Sequence, residues 1–175
     1  MVFKWPRRKN HSDDKSQGSV RPSTALVQVT GGPLDSIVVR LACELLESRR
    51  STLHLLYVIE MSRDTPLDAV VAEDSQAGEQ ALEDMERIAR RYNCIIEASL
   101  VQARDAGTAV VQEAVDKNVE TVVIGTSAAD VYGRYSPERH VPYILRYSPC
   151  RVILSREADQ TGAGLPRYAS RARTV

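Results

Sequence analysis

Between residues 24 and 156, short apolar runs alternate with longer stretches whose apolar side chains recur every three or four positions, and that alternation admits few folds. Ala25-Leu-Val-Gln-Val29 is nearly continuous in apolar character and stops at Gly31-Gly32-Pro33, which predicts a buried strand running into a turn. Leu34, Ile37, Val38, Leu41, Ala42, Leu45 and Leu46 then line one helical face, with Pro33 tolerated in the first turn. A strand over Thr52–Ile59 follows. Residues 66–92 predict a helical region whose seam is Ala81, Leu82, Met85, Ile88, Ala89 and Tyr92, and Ile95–Val101 is the next strand. Asp105 is placed to cap a helix carrying Val110, Val111, Ala114 and Val115. Thr121-Val-Val-Ile-Gly125 and Val152-Ile-Leu-Ser155 are the last two strands, with a short helix near 140–147 between them. Strands apolar on both faces, joined through helices long enough for crossovers, predict an α/β layered fold built on a parallel sheet.

The flanks have a different character. Residues 6–24 contain one strongly apolar residue, Val20, and residues 158–175 are rich in Gly, Pro and small polar side chains. Neither can bury enough surface to offset the entropy of ordering it. The expected organisation is a disordered basic lead over 1–23, a folded body over 24–156 and a disordered tail over 157–175. The net charge of zero conceals +4 on residues 1–22, +2 on 156–175 and −6 on the body between them. An acidic body argues against a nucleic-acid partner. Cys43, Cys94 and Cys150 are odd in number and far apart, as suits reduced thiols, and no apolar run reaches the roughly 18–20 residues of a membrane span. A cytoplasmic protein is expected. The lead, with Phe3 and Trp5 among its basic residues, reads either as a solubilising tail or as a weak contact of 1–22 with an anionic membrane at its inner face.

Ligands of parallel α/β sheets sit beyond the carboxyl ends of the strands, where the strand order reverses. That singles out Thr30-Gly31-Gly32 and Gly125-Thr126-Ser127. Gly31-Gly32 either cradles an anion at a helix start or is turn geometry; Gly125 either lets a ligand approach or lets a helix pack. Arg134, Arg139 and His140 form a candidate anion site or are simply solvated. His54, in a Leu-rich strand, reads as a satisfied or edge-facing histidine, and Cys94 and Cys150 as inert thiols. No nucleophile elbow, phosphate-binding loop or metal-ligand spacing is present, so no catalytic or metal-binding residue and no enzyme activity is expected.

The segments Ala25–Gly32, Leu53–Ile59, Asp105–Val111, Thr121–Thr126 and Ile144–Leu154 resemble, in order and spacing, those of a universal stress protein (UspA-like) domain. The resemblance implies a five-stranded parallel, Rossmann-like sheet of order 3-2-1-4-5 with helices on both faces. It also implies homodimers paired through the last strand, here 151–155, and roles in stress response or regulation. Nucleotide-binding members carry Gly-x2-Gly-x9-Gly-[Ser/Thr] after the fourth strand and an acid after the first. Aligned from Gly125 to Pro149-Cys150, that motif falls on Gly125, Ala128, Glu138 and Arg139, and the acid falls on Thr30. The resemblance thus implies a vestigial or altered nucleotide pocket at Thr30, Gly31, Gly32, Val58, Gly125, Thr126, Ser127 and Arg139. The expected function is a non-enzymatic regulatory or adaptor module without a cofactor. The alternative is a sensor of an adenine-containing or other anionic nucleotide, attached to or regulating a protein partner such as a membrane transporter.

Overall fold

In the computed structural model, which describes residues 21–46, 50–127 and 140–157, strand and helix alternate without exception. The elements are β1 (Thr24–Val29), α1 (Asp35–Leu45), β2 (Thr52–Glu60), α2 (Ala72–Ala89), β3 (Ile95–Ala103), α3 (Ala106–Asp116), β4 (Thr121–Ser127), α4 (His140–Tyr147) and β5 (Arg151–Glu157). The strands form one sheet of order β3-β2-β1-β4-β5, every neighbouring pair parallel. This is the α/β architecture expected. The chain winds outward from β1 to β3, then crosses back to β4 and β5, so the order reverses between β1 and β4.

Strand periodicity divides the core into two layers. Ala25, Val27 and Val29 of β1 face α1 and α2, packing with Val38, Val39 and Ala42 of α1, Leu53 and Leu55 of β2, and Leu82 of α2. Leu26 of β1 and Leu56 of β2 face the other way, onto Val110 and Ala114 of α3 and Val141 and Ile144 of α4. Buried on both faces, β1 has no polar side to show, which is why its sequence reads as a nearly continuous apolar run. A large side chain such as Leu26 contributes about 1.5–3 kcal/mol through its burial.

Local chemistry sets the helix boundaries. Asp105 caps α3, its Oδ1 accepting from the Thr108 N–H at 2.7 Å and the Thr108 hydroxyl at 2.9 Å. The helical region expected from residue 66 begins only at Ala72. Pro66 instead accepts from Ala69 N–H in a turn, Val71 is non-helical, and Glu73 and Asp74 supply the negative charge that the positive end of α2 favours. Gly78 lets α2 lie close on the sheet: a Cβ there would come within 2.7 Å of both Tyr57 and Leu100. At the other end of the sheet Ser23 donates through its N–H and its hydroxyl to the Glu120 carboxylate at 2.9 and 2.7 Å, tying the residue before β1 to the approach to β4. Apart from 21–23 and Glu157, the segments expected to be disordered lie outside the described residues.

Candidate functional site

The turn after β1 is built around a carboxylate. Gly31 adopts φ +77°, a left-handed conformation that glycine takes without strain, and this brings successive main-chain N–H groups to the inside of the bend. They do not point into empty space. Asp35, the first residue of α1, reaches back so that its Oδ2 accepts from the N–H of Thr30 at 2.9 Å and of Gly31 at 2.8 Å. Its Oδ1 accepts from the Thr30 hydroxyl at 3.0 Å, and that hydroxyl oxygen accepts in turn from Gly32 N–H at 3.3 Å. Asp35 is only 4% exposed. Burial pushes its carboxyl pKa above the ordinary value of 3.8, while the hydrogen bonds from Thr30 and Gly31 oppose that rise.

Beside this turn lies a cleft of about 490 Å³, bounded by Thr30, Gly31, Gly32 and Asp35 on one side and by Tyr57 of β2 and Met85, Gln80 and Asp84 of α2 on the other. Tyr57 packs with the α1/α2 layer, whereas Val58, the next residue, packs with the α3/α4 layer. The sheet therefore separates Val58 from the cleft. On the Val58 side lies Gln28, the next residue after Leu26 with the same facing along β1; it is 8% exposed and its Oε1 accepts no hydrogen bond from the described residues.

Gly125 and Thr126 carry β4 beyond its pairing with β1, opposite Ser155 and Arg156 of β5, and Ser127 is the last residue of that strand. The structure gives Gly125 a packing role. A Cβ there would stand 2.6 Å from Val38 Cγ2 and 3.3 Å from Leu34 Cβ, so its bareness admits the opening of α1. Thr126 is 1% exposed. Ala128, Arg134, Glu138 and Arg139 lie outside the described residues.

His140 opens α4 against the opening of α3, where a Cβ on Gly107 would meet His140 Cβ at 3.0 Å and its carbonyl oxygen at 3.1 Å. Burial lowers the His140 pKa from 6.5, and the nearby carboxylates of Glu60 and Asp105 raise it in opposition. Glu60 is itself engaged, its Oε1 accepting from Ala106 N–H at 2.8 Å. A histidine whose pKa is lowered by burial and that has two carboxylates near it is a poor holder of anions, which weakens the candidate anion site at His140. His54 is 6% exposed, and its Nδ1 has no hydrogen-bond partner, lying 3.4 Å from Glu97 Oε2 without hydrogen-bond geometry. The satisfied or edge-facing histidine expected from the sequence is thus a buried one on an inner strand, its Nδ1 at ion-pair distance from Glu97 but outside hydrogen-bond geometry. Among the described residues no group of three His, Cys, Asp or Glu side chains is arranged to hold a metal, and no helix is long and apolar enough to cross a membrane.

Asp35 is the site residue that sequence reasoning missed. The acid absent at position 30 is supplied to the same turn five residues later. An acidic residue in the first turn of a helix directly after Thr-Gly-Gly-Pro was the available signal, but its side chain reads as an ordinary N-terminal charge until the turn is folded.

Residues 23–156 match the sequence pattern of the family described as the Universal stress protein family. The chain belongs to the universal stress protein family. No curated protein matches it. Among solved structures, this universal stress protein is similar to UspA from Lactobacillus plantarum, with a TM-score of 0.60 and 19% identity over 79% of this chain and 100% of that one. It is similar to the Archaeoglobus fulgidus universal stress protein in complex with dAMP, with a TM-score of 0.58 and 18% identity over 75% of this chain and 95% of that one. An Arabidopsis thaliana family protein with AMP bound gives a TM-score of 0.56 and 15% identity over 78% of this chain and 92% of that one. At these identities the likeness establishes the fold of the universal stress protein domain.

Proposed function

We propose that this universal stress protein domain is a non-catalytic regulatory or adaptor module whose nucleotide pocket has been altered so that ATP is not its ligand. One observation carries the reading: the N–H groups that the β1–α1 turn would offer to an anion are taken by the chain's own Asp35 carboxylate. A phosphate brought there meets a buried negative group in place of free donors, and two unit charges about 5 Å apart repel by roughly 3 kcal/mol at an effective dielectric near 20. Glu138, where nucleotide-binding members have Gly, adds a like charge, and Arg139 stands where their Ser/Thr hydroxyl would be. In the proposed assembly two copies pair through β5, the edge strand, whose outer side no other strand among the described residues covers.

A second reading, a sensor of an adenine mononucleotide, is favoured by Gln28. Its buried, partnerless Oε1 is an acceptor that an amino group on a base would satisfy, and the two relatives described above are seen with dAMP and AMP.

Titration calorimetry of the full chain with ATP, AMP and dAMP separates these readings. The regulatory reading expects no ATP binding tighter than about 100 µM, equivalent to roughly −5.5 kcal/mol. Micromolar binding of AMP that Gln28→Leu abolishes would establish the sensor instead, and micromolar ATP would remove the first reading.

A further inference from the structure

The cleft beside the β1–α1 turn is one-sided in its charge. Ala77, Gln80, Ala81, Asp84 and Met85 recur at three- and four-residue steps, so a single stripe of α2 carries them all, and with Tyr57 and the turn they line about 490 Å³. Among the described residues two carboxylates, Asp35 and Asp84, line this space, and no Lys, Arg or His does. The two acids differ in what they have to spare. Asp35 is spent on its own turn, accepting from the N–H groups of Thr30 and Gly31 and from the Thr30 hydroxyl. Asp84 meets only its own helix, with Oδ1 3.0 Å from Arg87 Nη1 and 3.4 Å from Gln80 Nε2. Arg87 is 68% exposed and Asp84 46%, and ion pairs this open to water contribute little, so Asp84 can exchange that partner for another cation.

We propose that this cleft is a binding site for a small organic cation, an amine, amidine or guanidine carrying a flat apolar group, with Asp84 as its counter-charge and Tyr57 and Met85 receiving its apolar body. An anion finds no cationic side chain here. The positive end of α1, which would repel a cation, is already compensated where the Asp35 carboxylate takes the N–H groups of the turn. The site lies on the α1/α2 side of the sheet, whereas Val58 packs on the other side, so its occupancy stands apart from any nucleotide held there.

Tyr57 is held in position for such a ligand. A Cβ on Gly78 would stand 2.7 Å from its Cδ1 and 2.9 Å from its Cε1, so α2 passes one edge of the ring at close range and fixes where the ring lies. An aromatic ring attracts a cation brought within about 6 Å of its centroid. The flexible thioether of Met85 adapts to the outline of a flat group. The volume falls within the range of roughly 300–1,000 Å³ in which small-molecule sites are found.

The probe is benzamidine, with benzoate as a control of similar shape and opposite charge, titrated at low salt into the isotopically labelled full chain while amide chemical shifts are followed. Benzamidine should bind with a Kd of about 1 mM or below, a range open to a ligand this small, and move the amides of Gly31, Gly32 and Ala77–Met85 most. Benzoate should leave them in place. Asp84→Asn should weaken benzamidine about threefold or more, and Arg87→Gln, by releasing Asp84 from its internal partner, should strengthen it by a similar factor. Tyr57→Phe should retain binding that Tyr57→Leu loses. Asp84 and Arg87 lie at the surface, so their exchanges decide the matter should Tyr57→Leu fail to fold. Absence of benzamidine shifts, an equal response to benzoate, indifference to Asp84→Asn, or shifts centred on Val58 and Thr126 would each overturn the proposal.

Discussion

Asp35 holds Thr30 at two points, accepting from its main-chain N–H at 2.9 Å and from its hydroxyl at 3.0 Å. The first residue of a helix thereby dictates the shape of the turn that leads into it. The turn is thereby tied to the opening of α1, and its N–H groups at Thr30 and Gly31 are engaged by a group the chain carries itself.

Asp35→Ala strands the N–H groups of Thr30 and Gly31 without their acceptor, and the loss expected is about 2–3 kcal/mol, the cost of unsatisfied donors in a partly buried site. Urea unfolding at pH 7 measures it; an unchanged midpoint would show that the turn keeps its form without the carboxylate.

Gly125→Ala places a methyl group 2.6 Å from Val38 Cγ2. Relief requires α1 to shift, so a loss of about 1–3 kcal/mol is expected. Adding Val38→Ala should return part of it, a coupling of at least 0.5 kcal/mol in a double-mutant cycle. Strictly additive effects in that cycle would remove the packing account of this glycine.

Stability should fall as the solution is acidified below pH 6.5. Burial lowers the pKa of His54 and of His140 from 6.5, so the unfolded chain takes up protons first. Stability is complete above 6.5 and is lost as pH falls from there through the folded-state values. Around His54, Glu97 and Glu113 moderate the shift and Lys117 deepens it. His54→Leu removes one of the two titrations together with a buried nitrogen that lacks a partner, so Tm at pH 6 should rise and its slope against pH should flatten. A slope identical to wild type would exclude His54 as a source.

The β5 edge offers a direct test of assembly. Ile153→Pro deletes one main-chain N–H and obstructs pairing along that edge. Sedimentation equilibrium at tens of micromolar should give a dimer for the wild type and a larger monomer fraction for the variant. A wild-type monomer at that concentration would count against pairing through this strand.

Much of this architecture was legible because single residues announce it. The nearly continuous apolar run of β1 marks a strand buried on both faces, Asp105 marks the start of α3, and the stretch near 140–147 coincides with α4. Residues 66–71 misled because their composition continues that of α2, and only Pro66 hints that the chain turns there first. At the site, Thr30, Gly31 and Gly32 do share one turn with a ligand-sized cleft, but Asp35 was invisible, since nothing in a linear pattern says that a side chain will reach backwards. The partnerless nitrogen of His54 likewise emerges only when β3 and α3 close around it.

Gly107 meets His140 so closely that the opening of α4 is seated on α3 by contact alone, independent of whatever chain connects it to β4. The seat of α4 is set by α3, and the end of β4 is held by its pairing with β5. The absence of one methyl group on α3 thus fixes where α4 can begin.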